Sequence, residues 1–293
     1  MNSISAQIRE NNIKVYLFMT ALTVVIGVLG SLLSSFVGWG MTGTSGFIIL
    51  SGIINFIAYF FSDKIILRSS GARPVNREQV PELYEIIEKL CVRNDLPFPK
   101  VYLMDERTMN AFATGRNYEH SAVAVTKGLL EKLTKDEVEG VVAHELAHIK
   151  NYDMRIMAVV SILVGFISLI ADIYWTSSVA GKVQEKDSSG LMAWIGMSLA
   201  VFAPLTAFFI QLAISRKREY VADSAGALMS GNPKALASAL RKISLDMKFP
   251  KHLSSATAHL YFSSPGRGET VIDRLFSTHP PIEERIELLE GIN

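Results

Sequence analysis

Two histidines four residues apart, with a glutamate directly after the first, are the residues best suited to chemistry in this sequence. His144, Glu145 and His148 form an HExxH pattern within Thr134–Asp153, TKDEVEGVVAHELAHIKNYD. On a helix, residues four apart share one face, so two imidazoles can bind one Zn²⁺. Glu145 is offset by about 100° and can act as a general base without binding the metal. The pattern therefore predicts one zinc ion per chain that supports hydrolysis.

The residues before this pattern predict that a helix begins at Lys135. Thr134 and Glu137 have the spacing of a capping box, in which each side chain bonds the backbone amide of the other residue. Apolar residues on both sides of the histidines give this helix a packing face. Two surface histidines on an amphipathic helix remain the alternative to a zinc site.

A catalytic zinc needs a third protein ligand and one open position. Glu219 is the best candidate, and Asp223 lies one turn later on the same predicted helix face. Asp223 could accept the free N–H of a ligating imidazole. A solvated pair of carboxylates is the alternative. The other candidates are expected at the surface because they stand in no pattern: His120, His252 and His259.

Long uncharged stretches accompany these motifs. Residues 15–62 contain no charge and are long enough for two membrane helices. The turn between the two is expected at Gly38–Gly40 and Gly43–Gly46. Two further candidate spans are 156–175 and 191–215, although these could instead form a buried or re-entrant hairpin that does not cross.

Lysines and arginines flank mainly one side of the four candidate spans, which predicts that both termini and the HExxH segment are cytoplasmic. A hairpin between His148 and Glu219 would return the chain to the same side whether or not it crosses. The site should therefore lie at the membrane surface. The predicted organisation is a cytoplasmic N-terminus at 1–14, two spans at 15–62, protease domain at 63–155, the hairpin at 156–215, and the rest of the domain at 216–293.

The composition agrees with a mixed membrane and soluble protein. The 293 residues are 49% hydrophobic and 19% charged, too apolar for an ordinary soluble domain and too charged for a pure membrane bundle. A net charge of +1 gives no reason to expect nucleic acid as a partner. Cys91 is the one cysteine, so an intrachain disulfide is excluded.

Hydrophobic periodicity predicts an α+β, mostly helical soluble part with little strand. The predicted strands are Lys100–Met104 and Ala122–Val125. The predicted helices are Pro81–Val92, one from Lys135 onward, Pro233–Leu245 and Pro281–Glu290.

The ordered motifs HELAHIKNYD and EYVAD, with two N-terminal spans and a hairpin between the motifs, resemble those of HtpX-type membrane zinc metallopeptidases. These are gluzincins related to the CAAX prenyl proteases, and the resemblance covers nearly the whole chain. It implies a membrane-anchored gluzincin domain with about four transmembrane helices. His144, His148 and Glu219 would bind zinc, and Glu145 would be the catalytic residue.

The same resemblance assigns supporting residues. Asp223 would bond a ligating histidine, and Asp153 matches the acidic residue after the second histidine of the family. In MNAFATG, Asn110, Ala111 and Phe112 would run beside the substrate backbone at a sheet edge. A buried loop with a capping asparagine is the alternative there.

The C-terminal segment STHPPIEERI also resembles the family. Its His279 could stabilise the oxyanion or protonate the leaving amine. Alternatively, residues 278–281 only start the last helix, with two prolines fixing its entry.

The function that the resemblance implies is an endopeptidase of the bacterial inner membrane, multi-pass, with its active site in the cytoplasm. It would degrade misfolded or damaged membrane proteins at the lipid bilayer, in quality control and stress response. Three alternatives stay open: a CAAX-type prenyl-protein protease, a site-2-type intramembrane protease, and a non-catalytic metal-binding membrane protein.

Overall fold

A computed structural model of the chain describes residues 2–162, 196, 216–246 and 280–292. Two long helices come first: the first helix, Asn2–Val37, and the second helix, Gly40–Ser69. Within them, Ile8–Leu32 and Gly40–Ser69 are long and apolar enough to cross a membrane. The first helix runs unbroken through residue 14, so residues 2–14 of the predicted cytoplasmic N-terminus are helical and continuous with the first candidate span.

The turn between the two helices lies at the first of the two predicted glycine pairs, Gly38 and Gly40, and not at the second. Gly38 and Gly40 adopt φ values of +81° and +57°, which favour glycine, and the second helix starts at once. Gly43–Gly46 therefore lies inside the second helix and not in the turn. A Cβ on Gly43 would lie 2.4 Å from Oγ of Ser34. This glycine lets the two helices approach closely, as small residues do in membrane helix pairs.

Four strands form one sheet with the order β1-β2-β4-β3. The strands are β1 (Arg73–Pro74), β2 (Lys100–Met104), β3 (Ala111–Gly115) and β4 (Ser121–Thr126). Strand β2 pairs parallel with β4, and β3 pairs antiparallel with the other side of β4. The prediction is confirmed for β2, and β4 is one residue longer at each end than predicted.

The sheet lies between the soluble core and the second helix. Along β3, Ala111 and Ala113 pack into the soluble core, whereas Phe112 packs against Ile66 and Leu67 of the second helix. This alternation follows from the two-residue period of a strand. The edge strand is thus held from both faces.

The helices have the following bounds: Pro81–Asn94, Lys127–Lys132, the HExxH helix Lys135–Lys150, 153–162, the Glu219 helix Arg216–Ser230, Pro233–Leu245, and the C-terminal helix Ile282–Glu290, with a 3-10 turn at Tyr118–His120. The prediction is confirmed at both ends of Pro233–Leu245, where Asn232 caps the first turn. The C-terminal helix starts one residue later than predicted, because Pro281 is its N-cap.

The HExxH helix occupies the centre of the soluble part. Every residue from Glu137 to Ile149 is buried. It packs against Pro81–Asn94, strand β3, the Glu219 helix and Pro233–Leu245. Residues 163–195 and 197–215 lie outside the described part of the chain, and with them most of the third and fourth candidate spans.

Candidate metal centre

The capping box that starts the HExxH helix is present as predicted. The amide of Thr134 lies 2.8 Å from Oε2 of Glu137, and the amide of Glu137 lies 3.4 Å from Oγ1 of Thr134. The helix consequently begins at Lys135. His144 is 1% exposed and His148 is 5% exposed. The alternative interpretation, two surface histidines on an amphipathic helix, is thereby excluded.

Three ligand atoms converge beside this helix. Nε2 of His144 and Nε2 of His148 lie 3.1 Å apart. The Glu219 carboxylate brings one oxygen to 3.9 Å from the first nitrogen and the other to 3.6 Å from the second. A tetrahedral zinc site with bonds of about 2.0–2.2 Å separates its donors by about 3.3–3.6 Å, so this group fits a metal ion. Among the described residues, no other group has this arrangement.

The opposite nitrogen of each imidazole faces a carboxylate. Nδ1 of His144 lies 2.9 Å from Oδ1 of Asp223, and Nδ1 of His148 lies 3.4 Å from Oδ2 of Asp153. A carboxylate that accepts from Nδ1–H leaves Nε2 as the lone-pair donor for a metal. Both rings therefore present the correct nitrogen to the same point.

Arg285 is a residue of this site that sequence reasoning missed. It is 0% exposed, and its Nε and Nη2 each lie 2.7 Å from an oxygen of Asp223. Its Nη1 lies 3.4 Å from Oε2 of Glu219. In the sequence it stands in a charged helix, where an arginine is usually solvated. The signal that could have found it is the need of a buried Asp223 for a buried cation.

Gly226 is a second missed residue. A Cβ at this position would lie 2.9 Å from both the Cα and the N of His144. The absence of a side chain therefore lets the Glu219 helix rest directly on the HExxH helix at the first histidine. Glu219 lies two turns earlier on the Glu219 helix, and the close contact brings its carboxylate within reach of the imidazoles.

The electrostatics of the two histidines differ. Burial, with the charges of His148 and Arg285, lowers the pKa of His144 although the adjacent Asp223 acts to raise it. For His148, burial is outweighed by the hydrogen bond to Asp153 and the charge of Glu219, and the pKa rises to about 9. A cation binds only the neutral imidazole, so binding at His148 would release a proton.

Glu145, the predicted general base, is close enough to His148 and Glu219 for their charges to act on its carboxyl. It is 4% exposed, and burial raises the pKa of its carboxyl to about 7. The backbone of Ala113 hydrogen-bonds this carboxyl group and lowers the pKa in part. The contact places Glu145 next to edge strand β3.

The three residues expected beside a substrate are all buried: Asn110, Ala111 and Phe112. The backbone N and O of Asn110 bond Oγ1 of Thr126 at 2.9 and 3.0 Å. Because the side chains of Ala111 and Phe112 belong to the two packed cores, a peptide could be contacted here through backbone groups of β3. The geometry thus fits an edge-strand contact better than side-chain pockets.

The remaining histidines contribute nothing to this group within the described residues. His120 is half-buried, with its ring nitrogens 2.7 Å from Oδ1 of Asn117 and 2.9 Å from Nη2 of Arg116. The other expected residues of this kind lie outside the described part of the chain: His252, His259 and His279.

Comparison with known proteins agrees with the site. The model of peptidase family M48 matches residues 77–293. A protease HtpX homolog of Pelotomaculum thermopropionicum is 42% identical over 284 residues, covering 96% of this chain and 99% of that protein. A protease HtpX homolog of Pyrococcus furiosus is 43% identical over 281 residues, covering 94% and 92%.

A solved structure shares the fold. The crystal structure of S. mikatae Ste24p matches 98% of this chain and 67% of that chain, with a TM-score of 0.53 and 21% identity. The family match and the protease relatives, together with the buried group of possible metal ligands and the two membrane-capable helices, identify a membrane-associated metallopeptidase. The chain belongs to peptidase family M48.

Proposed function

We propose that this chain is a zinc endopeptidase of the bacterial inner membrane that hydrolyses misfolded or damaged membrane proteins. The observation that supports hydrolysis best is the convergence of three buried ligand atoms, from His144, His148 and Glu219, beside the buried carboxyl of Glu145. Two nitrogens and one carboxylate oxygen are a donor set that zinc prefers.

His144, His148 and Glu219 would hold the metal, and Asp223 and Asp153 would keep the two imidazoles in the required tautomer. When bound, zinc would polarise the scissile carbonyl and make water more acidic. The open face of such a site is where the carbonyl and the water would meet.

Glu145 would take a proton from the attacking water and deliver it to the leaving nitrogen. Its position beside Ala113 supports this role, because a peptide added to the edge of β3 would bring its backbone close to the carboxyl. Asn110, Ala111 and Phe112 would then act through the strand backbone. His279 would stabilise the oxyanion or protonate the leaving amine.

The proposed topology has four membrane spans and a cytoplasmic active site. The first two spans would be the long helices, which are long and apolar enough to cross a membrane, and helix 153–162 would lead into the third. The lysines and arginines that flank the spans support the cytoplasmic assignment. A site next to the bilayer suits substrates that are themselves membrane proteins.

The direct test of the activity is Glu145→Gln. The amide cannot accept the proton of water, and the residue is not a ligand. We expect zinc content to stay at one per chain and peptide cleavage to fall by about 10²–10⁴-fold. The matched control is Glu139→Gln, on the same helix, which removes an ion pair with Lys89 and should keep activity.

Purified Glu145→Gln that cleaves peptides at the wild-type rate would contradict the mechanism. The same inactive variant, crosslinked to bound proteins in membranes, should retain substrates. Retention of folded and soluble proteins instead of misfolded membrane proteins would contradict the quality-control role.

A further inference from the structure

Two consecutive asparagines of the first helix contact the chain directly after the HExxH helix. Nδ2 of Asn11 donates to the carbonyl of Asn151 at 3.1 Å and to Oδ1 of Asp153 at 2.8 Å. Nη1 of Arg155 donates to Oδ1 of Asn12 at 2.5 Å. The first helix is therefore joined to both ends of a five-residue segment that follows the metal-binding helix.

Asp153 links the first helix to a metal ligand. One of its oxygens lies 2.8 Å from the amide of Asn11, and the other lies 3.4 Å from Nδ1 of His148. Nη1 of Arg218 also lies near the first oxygen, at the longer distance of 4.0 Å, so the closest contacts of this carboxylate are those with Asn11 and His148. Any rotation that loses the Asn11 bond also moves the oxygen that faces His148.

The HExxH helix alone does not determine where Asp153 lies. The helix ends with its cap at Asn151, and Tyr152 has φ +59°, in the left-handed region that non-glycine residues rarely adopt. Such a turn persists when its surroundings hold it. Asn11 holds it on both sides, at the carbonyl before Tyr152 and at the carboxylate after it.

An asparagine suits this position better than residues of similar size. Asn11 is 2% exposed and Asp153 is 1% exposed, so water does not replace a lost partner. Both amide hydrogens of Asn11 are used, one for each acceptor. Leucine has a similar branched outline but no donor, and aspartate would bring a second carboxylate to the place where Asp153 now accepts.

We infer that Asn11 is a positioning residue of the metal centre, through which the first membrane helix orients His148 by way of Asp153. The inference rests on the proposed zinc-peptidase function. The first helix then contributes to metal binding, in addition to any role in holding the chain in the bilayer.

The neighbouring contact distinguishes positioning from simple attachment. Asn12 bonds Arg155, whose Nε donates to the carbonyl of Arg116 at 2.5 Å. This contact attaches the first helix to the same segment, and it does not include a carboxylate that faces a ligand. Loss of attachment alone would make Asn11 and Asn12 equivalent.

The experiment measures zinc affinity of the full-length protein in detergent by chelator competition. Asn11→Leu should weaken binding about three- to tenfold, less than the 10–100-fold typical when a direct partner of a ligand is lost. The Co²⁺ form should show an altered visible absorption spectrum, since the His148 ring is reoriented. Asn12→Leu, the matched control, should leave affinity and spectrum unchanged.

A double-mutant cycle tests the route through Asp153. In the Asp153→Ala background, Asn11→Leu should have no further effect on zinc affinity, because the residue through which it acts is gone. Asn11→Asp is a second variant of the same size and should weaken binding at least as much as Asn11→Leu.

Equal affinities for wild type, Asn11→Leu and Asn11→Asp would overturn the inference and leave the zinc peptidase intact. The same holds if Asn12→Leu weakens binding as much as Asn11→Leu, or if the effects of Asn11→Leu and Asp153→Ala simply add. Wild-type protein that binds no zinc would overturn the proposed function itself, which separates the two failures.

Discussion

At the scale of single residues, the stability of the candidate metal centre depends on how its buried charges are compensated. The buried groups at the site are four carboxylates and two guanidinium groups, those of Glu145, Asp153, Glu219, Asp223, Arg218 and Arg285. With both histidines neutral, a divalent cation and the two guanidinium groups balance the four negative charges. The arrangement is therefore best satisfied when a metal is bound, because uncompensated buried charges are costly.

Arg285 should be essential to this balance. Against the effect of burial, it holds the pKa of Asp223 below its ordinary value. Arg285→Lys keeps the charge and loses the two parallel bonds to Asp223, so we expect about 10-fold weaker zinc binding. Arg285→Met should be worse and should destabilise the fold by about 3–5 kcal/mol. Chelator competition and thermal unfolding in detergent measure both effects.

The control for Arg285 is Arg241→Lys. Arg241, on helix Pro233–Leu245, pairs at 2.8 Å with Glu290, which lies on the C-terminal helix as Arg285 does. Both side chains of this pair are exposed. Exposed pairs contribute about 0–1 kcal/mol, so this change should be nearly silent. If Arg285→Lys were equally silent, the guanidinium would not support the metal centre.

Glu219 and Asp223 should differ in severity although they lie on one helix. Glu219→Ala removes a ligand, so dialysed protein should retain little zinc by metal analysis. Asp223→Asn removes no ligand but neutralises the carboxylate that faces both His144 and Arg285, so it should weaken binding about 10–100-fold. Glu284→Ala, which removes an exposed bond to Tyr220, is the control. Full zinc occupancy in Glu219→Ala would mean that another residue is the third ligand.

At the scale of elements, the contact between two helices sets the distance between the ligands. Gly226→Ala would place a methyl group 2.9 Å from the backbone of His144, and backbone cannot rotate away. We expect a loss of about 1–3 kcal/mol in stability and weaker zinc binding. Gly52→Ala is the matched control, since a Cβ there meets nothing within 4 Å. Unchanged zinc affinity in Gly226→Ala would show that the contact tolerates a methyl group.

The start of the HExxH helix should make the fold sensitive to acid. Burial alone would raise the pKa of Glu137, but hydrogen bonds from Lys242, Ser238 and the amide of Thr134 outweigh it and lower the pKa below 4.5. A lowered pKa in the folded state gives stability that is present above the unfolded pKa. This stability is lost as the pH falls through the folded value.

Glu137→Gln should therefore lower the thermal midpoint at pH 7 and have less effect at pH 4, because the stability from the charge is lost progressively as the pH falls below 4.5. The expected loss at pH 7 is about 1–2 kcal/mol, as for other helix caps. Thermal unfolding in detergent at both pH values is the measurement, with the exposed Glu131→Gln as control. A difference that is the same at pH 7 and pH 4 would contradict the role of the charge.

At the scale of the whole molecule, the testable claim is the membrane topology. A cysteine at exposed Glu78 should be protected from an impermeant thiol reagent in intact spheroplasts, and one at Ser188 should react. Labelling at residue 78 alone would invert the protein. Labelling at neither site would indicate a re-entrant hairpin, provided both react after permeabilisation. The native Cys91 should give little background, because it is 4% exposed and burial raises its pKa to about 11.

The sequence by itself determined the features that depend on interactions between residues close together along the chain. The HExxH spacing, the capping box at Thr134 and the helix Pro233–Leu245 follow from bonds and periodicities within a few residues, so they were predictable. The apolar run at 15–62 likewise gave two helices. Glu219 could be nominated because a second carboxylate, Asp223, follows one turn later on the same helix face. Strand β3 was not predicted from periodicity, because its small residues show no strand pattern and form a strand by pairing with β4.

Only the tertiary structure decided which distant residues meet at the metal centre. Arg285 lies far along the chain from Asp223, and Asn11 lies 142 residues before Asp153. Neither contact has a local signature, since a buried charge or amide is compensated by whichever donor the packing of helices brings to it. The closeness of the two ligand helices at Gly226 is likewise a property of packing. The sequence was enough to predict the candidate ligands, and the fold decided which residues hold them in place.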